Sequence, residues 1–149
     1  MISILISLVA AISYGLGTYF QRRNLTSDIQ DRRNVLASGT VAVVAHLAVI
    51  LLITFQPGGI DLGVFKVASL ISWVVVVAVL IRSWKKPLDN LFLYLFPLAI
   101  VCLLASTFIP SSYEPQGDYS AGVALHILLG ILAVSVITIA AFQAVLISF

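Results

Sequence analysis

Apolar residues in this chain come in long blocks separated by short polar breaks. Five blocks, 1–20, 36–55, 66–83, 90–109 and 120–148, reach or approach the roughly 20 residues that a helix needs to cross a bilayer. Runs such as Val74 to Val77 leave no polar face, so the alternating pattern of a membrane β-barrel strand is absent. The breaks are rich in turn formers: Asn24 to Asp28, Gln56-Pro57-Gly58-Gly59, Lys85-Lys86-Pro87 and the stretch from Pro110 to Asp118. The pattern predicts an all-α, polytopic transmembrane helical bundle of about five spanning helices, forming one domain over residues 1–149.

Composition agrees with the pattern. Of 149 residues, 61% are hydrophobic and 9% charged, with a mean hydropathy of +1.14. Soluble domains carry about a quarter charged residues, so a water-soluble fold is excluded and nucleic-acid binding is not expected. The placement of the charges is more informative than their sum. Arg22, Arg23, Arg32, Arg33, Arg82, Lys85 and Lys86 fall in the first and third loops, and Lys66 alone lies at the opposite ends of the helices. Because cationic loops stay in the cytoplasm, Met1 is expected outside and Phe149 at the cytoplasmic face. Tyr19 and Trp84 then sit at the inner interface, and Tyr113 and Tyr119 at the outer one. No Lys or Arg precedes Arg22, so the first block reads as a permanent span rather than a cleaved signal.

All six acidic residues, Asp28, Asp31, Asp61, Asp89, Glu114 and Asp118, fall in loops. Ion-coupled transporters usually hold a carboxylate near the midplane, so that class is disfavoured. Two ionisable side chains do enter the apolar blocks, His46 and His126, and they are the only histidines. His46 lies ten residues into its block, roughly 15 Å from the basic end at about 1.5 Å per residue. His126 falls near the outer third, at a depth that lets one ligand between the helices reach both. Imidazole is neutral at pH 7 and a good donor to iron, zinc or copper. Gly122, Gly130 and Ala133 share a face with His126, and Gly39 and Ala42 share one with His46, leaving room for a flat macrocycle. The same small residues suit helix packing. Three readings therefore stand side by side: a packing or pore-lining histidine hydrogen-bonded to a neighbour, a haem ligand, and a metal or proton site.

Other candidates carry less. Cys102 is the only cysteine, which excludes a disulfide or a CxxC pair within the chain. Pro97 is expected to kink the fourth helix. Lys66 is expected to snorkel, with a haem propionate as the alternative partner. Trp73 is expected to pack, with stacking on a ring ligand as the alternative.

The segment Gly122-Val123-Ala124-Leu125-His126-Ile127-Leu128-Leu129-Gly130, preceded by Leu104-Ala105-Ser106-Thr107-Phe108-Ile109-Pro110, resembles the cytochrome c assembly protein family, the membrane haem-handling proteins of the CcsA and CcmC type. The likeness is nearest to the short YpjD-like and HemX-like members, through Ala45-His46-Leu47 and the stretch Leu62 to Trp73. It implies a multi-pass protein of the bacterial cytoplasmic (inner) membrane, working in cytochrome c biogenesis. In that family a histidine at the outer end of a helix ligates haem iron, a position that His126 occupies; His46 matches the intramembrane histidine of the YpjD-like branch. The tryptophan-rich haem motif of larger members is absent, and Ala133-Val134 stands where Ser-Tyr is common. Members usually run to about eight spans, so the chain is expected to be an N-terminal portion of a longer protein.

The expectation is thus a non-enzymatic membrane protein that binds or guides haem, with His126 as the first candidate iron ligand and His46 as the second. Its expected partners are the lipid bilayer, haem, other cytochrome c maturation proteins and apocytochrome c. A non-catalytic scaffold or regulatory subunit without haem is the alternative, and a small-solute transporter a third.

Overall fold

In the computed structural model, residues 1–26, 32–56, 59–85, 88–113 and 119–148 are described. Lys86, Asp28, Asp31, Glu114, Asp118 and Phe149, placed above from the sequence, lie outside them, as does the side chain of Asp89. The described residues form an all-α bundle of five helices: α1 (Ile2–Thr26), α2 (Arg32–Thr54), α3 (Val64–Ser83), α4 (Phe92–Phe108) and α5 (Ala121–Ile147). Between α2 and α3 lies a pair of two-residue antiparallel strands, β1 (Phe55–Gln56) and β2 (Gly59–Ile60). Gly59 has φ 126°, a backbone conformation open to glycine. A single 3-10 turn, Asp89–Leu91, leads into α4.

Four helices, α1, α2, α3 and α5, are long and apolar enough to cross a membrane; α4 is apolar but shorter, at 17 residues. Hydrocarbon offers no hydrogen bonds to a backbone, so each crossing segment must satisfy its own N–H and C=O groups, and even the valine-rich α3 is helical. The helices run past the apolar blocks at the basic end, α1 to Thr26 and α2 from Arg32. Around the bundle the surface is apolar: Leu5, Val9, Ile12 and Leu16 on α1, and Val134 and Ile137 on α5, are exposed. Such a belt is stable only in lipid, and the chain is a multi-pass membrane protein. α4 continues unbroken through Pro97, which faces outward.

α1 packs on α2 and α4, and α3 packs on the same two helices, closing a ring of four. α5 lies outside the ring, chiefly against α3. Buried positions recur at alternating spacings of three and four: Ser7, Ala10, Tyr14, Gly17 and Gln21 on α1, and Val35, Gly39, Ala42, His46 and Val49 on α2. That is the seam of left-handed helix pairs. At its centre the Phe96 ring of α4 wedges between α1 and α2. A Cβ on Gly17 would fall 2.5 Å from Phe96 Cε2, and one on Gly39 would fall 3.0 Å from Phe96 Cζ. Phe92 stacks on Phe96 at 4.7 Å between centroids, and Tyr14 lies 5.3 Å from it on the other side.

Inter-helix hydrogen bonds sit at three levels. Ser7 and Thr107 hydroxyls meet at 2.9 Å at one end of α1. The Gln21 side-chain amide donates to Asn90 at 3.2 Å at the basic end. In the middle, the Trp73 indole N–H donates to the Val43 carbonyl at 2.9 Å, tying α3 to α2.

Gly17→Ala is expected to destabilise the purified protein by about 1–3 kcal/mol, the usual cost of overpacking a filled core. Unfolding in micelles followed by circular dichroism measures this, and Phe96→Leu in the same chain should return part of the loss.

Candidate functional site

His46 is completely buried on the inner seam of α2. Its Nδ1 lies 3.2 Å from the Tyr14 hydroxyl on α1, and its Nε2 lies 2.9 Å from the Ser69 hydroxyl on α3. The Tyr14 ring meets the imidazole edge-on at 5.9 Å. A neutral imidazole carries one N–H and one acceptor nitrogen, and a hydroxyl serves either, so both tautomers are fully satisfied. One side chain thereby links three helices. Both ring nitrogens are engaged inside the ring of helices.

His126 has the opposite setting. It sits on the first turns of α5, exposed, and no hydrogen bond reaches its ring among the described residues. Gly122 and Gly130, four residues before and after it, have nothing near the place a Cβ would occupy. The helix start itself is fixed by Ser120, whose hydroxyl accepts from the Val123 N–H at 3.4 Å. The structure does not bring the two histidines onto a common surface: one is sealed between α1, α2 and α3, the other lies on the open side of α5. No cluster of three metal-ligating side chains occurs among the described residues.

Lys66 does not stand alone. It forms an ion pair with Asp61, itself buried in the loop before α3. Asp61 Oδ1 also accepts from the Gly63 N–H at 2.9 Å and the Ser111 hydroxyl at 3.2 Å, joining the start of α3 to the segment after α4. A Cβ on Gly63 would run into the Ser111 hydroxyl, so a larger residue there would displace the serine that bonds Asp61. Burial pushes the Asp61 carboxyl up, but the bonds from Lys66, Gly63 and Ser111 and the lysine charge outweigh it and hold Asp61 below the usual carboxylate range.

Asp61, Tyr14 and Ser69 are site residues that the sequence reading passed over. An acid three residues before a helix start, with a lysine in the first turn, is a readable signal for the first of these. Tyr14 and Ser69 carry none, because hydroxyls are scattered through all the blocks. Cys102 is free and half-buried.

Two cavities flank the Asp61 cluster. One, of about 370 Å³, is lined by Gly63, Lys66, Ser111 and Tyr113 among others. The second, of about 380 Å³, is apolar and lies between α2, α3 and α5. They share Leu62, and the Tyr113 and Tyr119 hydroxyls, 2.6 Å apart, meet between them. Neither is lined by a histidine. Comparison with protein-family models, with curated proteins and with solved structures finds no match.

Two outcomes are expected. Tyr14→Phe should cost about 1 kcal/mol, the scale of one hydrogen bond between membrane helices, and His46→Ala about 2–4 kcal/mol, since it opens a cavity and strands two hydroxyls; denaturant titration in micelles reads both. Asp61, with its folded-state pKa below the unfolded value, contributes stability that is complete above about pH 4 and lost as the pH falls through the folded value. Melting temperatures measured from pH 7 to pH 3 should drop at the acid end, and Asp61→Asn should flatten that limb.

Proposed function

We propose that this chain is a haem-binding protein of cytochrome c biogenesis in a bacterial cytoplasmic membrane, of the CcsA and CcmC type, with His126 as the iron ligand. One observation carries the choice between the histidines: His126 presents an unengaged imidazole at membrane depth, flanked by the open positions of Gly122 and Gly130. An ionisable group facing lipid is costly, which favours a second component covering it. Bound haem supplies a Lewis-acidic iron for an imidazole nitrogen to occupy. The chain's own contribution is to hold that imidazole on a helix face with room for a flat ring. His46 holds the ring of helices together rather than contacting iron. Lys66 is occupied by Asp61 and is a poor partner for a propionate.

In this reading the Met1 end faces outward, the arginine-rich end faces the cytoplasm, and the partners are other maturation proteins and apocytochrome c. The chain presents haem and performs no chemistry of its own. A second reading, a haem-free scaffold or regulatory subunit, is favoured by the complete hydrogen bonding of His46, which needs no ligand to explain an intramembrane histidine.

The purified, haem-reconstituted protein is expected to show a Soret band. His126→Ala should abolish at least about nine-tenths of it, whereas His46→Ala should lower the melting temperature and leave the band of the folded fraction in place. A protein that takes up no haem, or takes it up equally without His126, belongs to the scaffold class.

A further inference from the structure

The cavity between α2, α3 and α5 has the features of a built site. On α2, Leu47, Ile50 and Thr54 form one stripe, and on α5, Ala124, Leu128 and Ile131 form the facing one. Each stripe spans eight residues, about 10 Å along the helix axis. The walls are almost wholly apolar, and Tyr119 is the only titratable side chain in the lining.

Thr54 is the exception that points to a ligand. Elsewhere in the helices, Thr40, Thr107 and Thr138 return their hydroxyls to the carbonyl four residues earlier. Thr54 does not. It is 5% exposed, it lines the cavity, and its buried hydroxyl has no partner. An unpaired buried hydroxyl costs about 1–3 kcal/mol and calls for an acceptor. Thr54 is also the last residue of α2, at the end remote from the arginines. The end of a spanning helix falls near the edge of the hydrocarbon, where lipid ester carbonyls begin.

We propose that this cavity binds one acyl chain of a bilayer phospholipid, the Thr54 side chain turning its hydroxyl into the cavity to donate to the ester carbonyl. The chain descends from Thr54 between the two stripes towards Leu47. The headgroup lies over the adjoining cavity beyond Leu62, whose lining includes Lys66 and Ser111. Because Asp61 neutralises Lys66 there, the site selects no headgroup charge and takes zwitterionic lipid as readily as anionic. The site is independent of the haem reading, since His126 does not line it.

Native mass spectrometry of the full chain, purified from bacterial membranes in mild detergent, tests this. One phospholipid should stay bound. Ile131→Trp, which fills the cavity, should remove it, and Thr54→Val should weaken retention about fivefold, as expected for one hydrogen bond. His126→Ala should leave it unchanged. Circular dichroism establishes that each variant is folded, and Ala124→Phe, entering from α5, replaces Ile131→Trp if that chain fails to fold. The proposal is overturned if the wild-type protein retains no adduct, if the filled variants retain it equally, or if the bound mass is a quinone or haem.

Discussion

Between membrane helices there is little hydrophobic force, because lipid tails are as apolar as the side chains they would leave, so association rests on close packing and hydrogen bonds. Here both converge on one place. Phe96 fills the space left by Gly17 and Gly39, and only the absence of a Cβ at those two positions lets α1 and α2 close around the ring. Tyr14 lies against that ring and reaches on to His46, which in turn reaches Ser69. Removing the ring would leave a cavity where α1, α2 and α4 meet, next to the Tyr14–His46 hydrogen bond.

The distribution of residue sizes follows from that constraint. Small and hydroxyl-bearing side chains, as at Ser7, Ala10, Gly17, Ser69, Ser72 and Ser106, share the interior with Val35, Val49, Val75, Val76, Leu95 and Leu103, while further leucines, isoleucines and valines face outward. α5 differs from the other helices. With Ile131 and Ser135 as its buried residues and its remaining faces open, α5 rests on the ring without entering it. A helix held so lightly can leave a cavity on one side and an uncovered histidine on the other, and both candidate binding features of the protein lie on it.

The two histidines show how much of a site periodicity carries. Both stand out in the sequence for the same reason, a titratable ring in apolar surroundings, and counting residues along the helices puts them at similar expected depths. Depth says nothing about azimuth. His46 falls on the seam defined by Val35, Gly39, Ala42 and Val49, and is consumed by two hydroxyl partners. His126 falls on the face away from the ring. Lys66 offers a similar lesson: it reads as a solitary cation, but the loop folds Asp61 back onto it.

The amino-acid sequence alone determined that this is an all-α membrane bundle, where its helices lie to within a few residues, and which end carries the arginines. These follow from local hydropathy and charge, which need no knowledge of neighbours. Tertiary structure alone decided that Phe96 is the wedge, that Tyr14 and Ser69 partner His46, that Asp61 clamps the start of α3, and that Thr54 borders an apolar cavity. Each of these depends on which faces of two helices meet, and in chains apolar on every side the sequence pattern barely distinguishes one face from another.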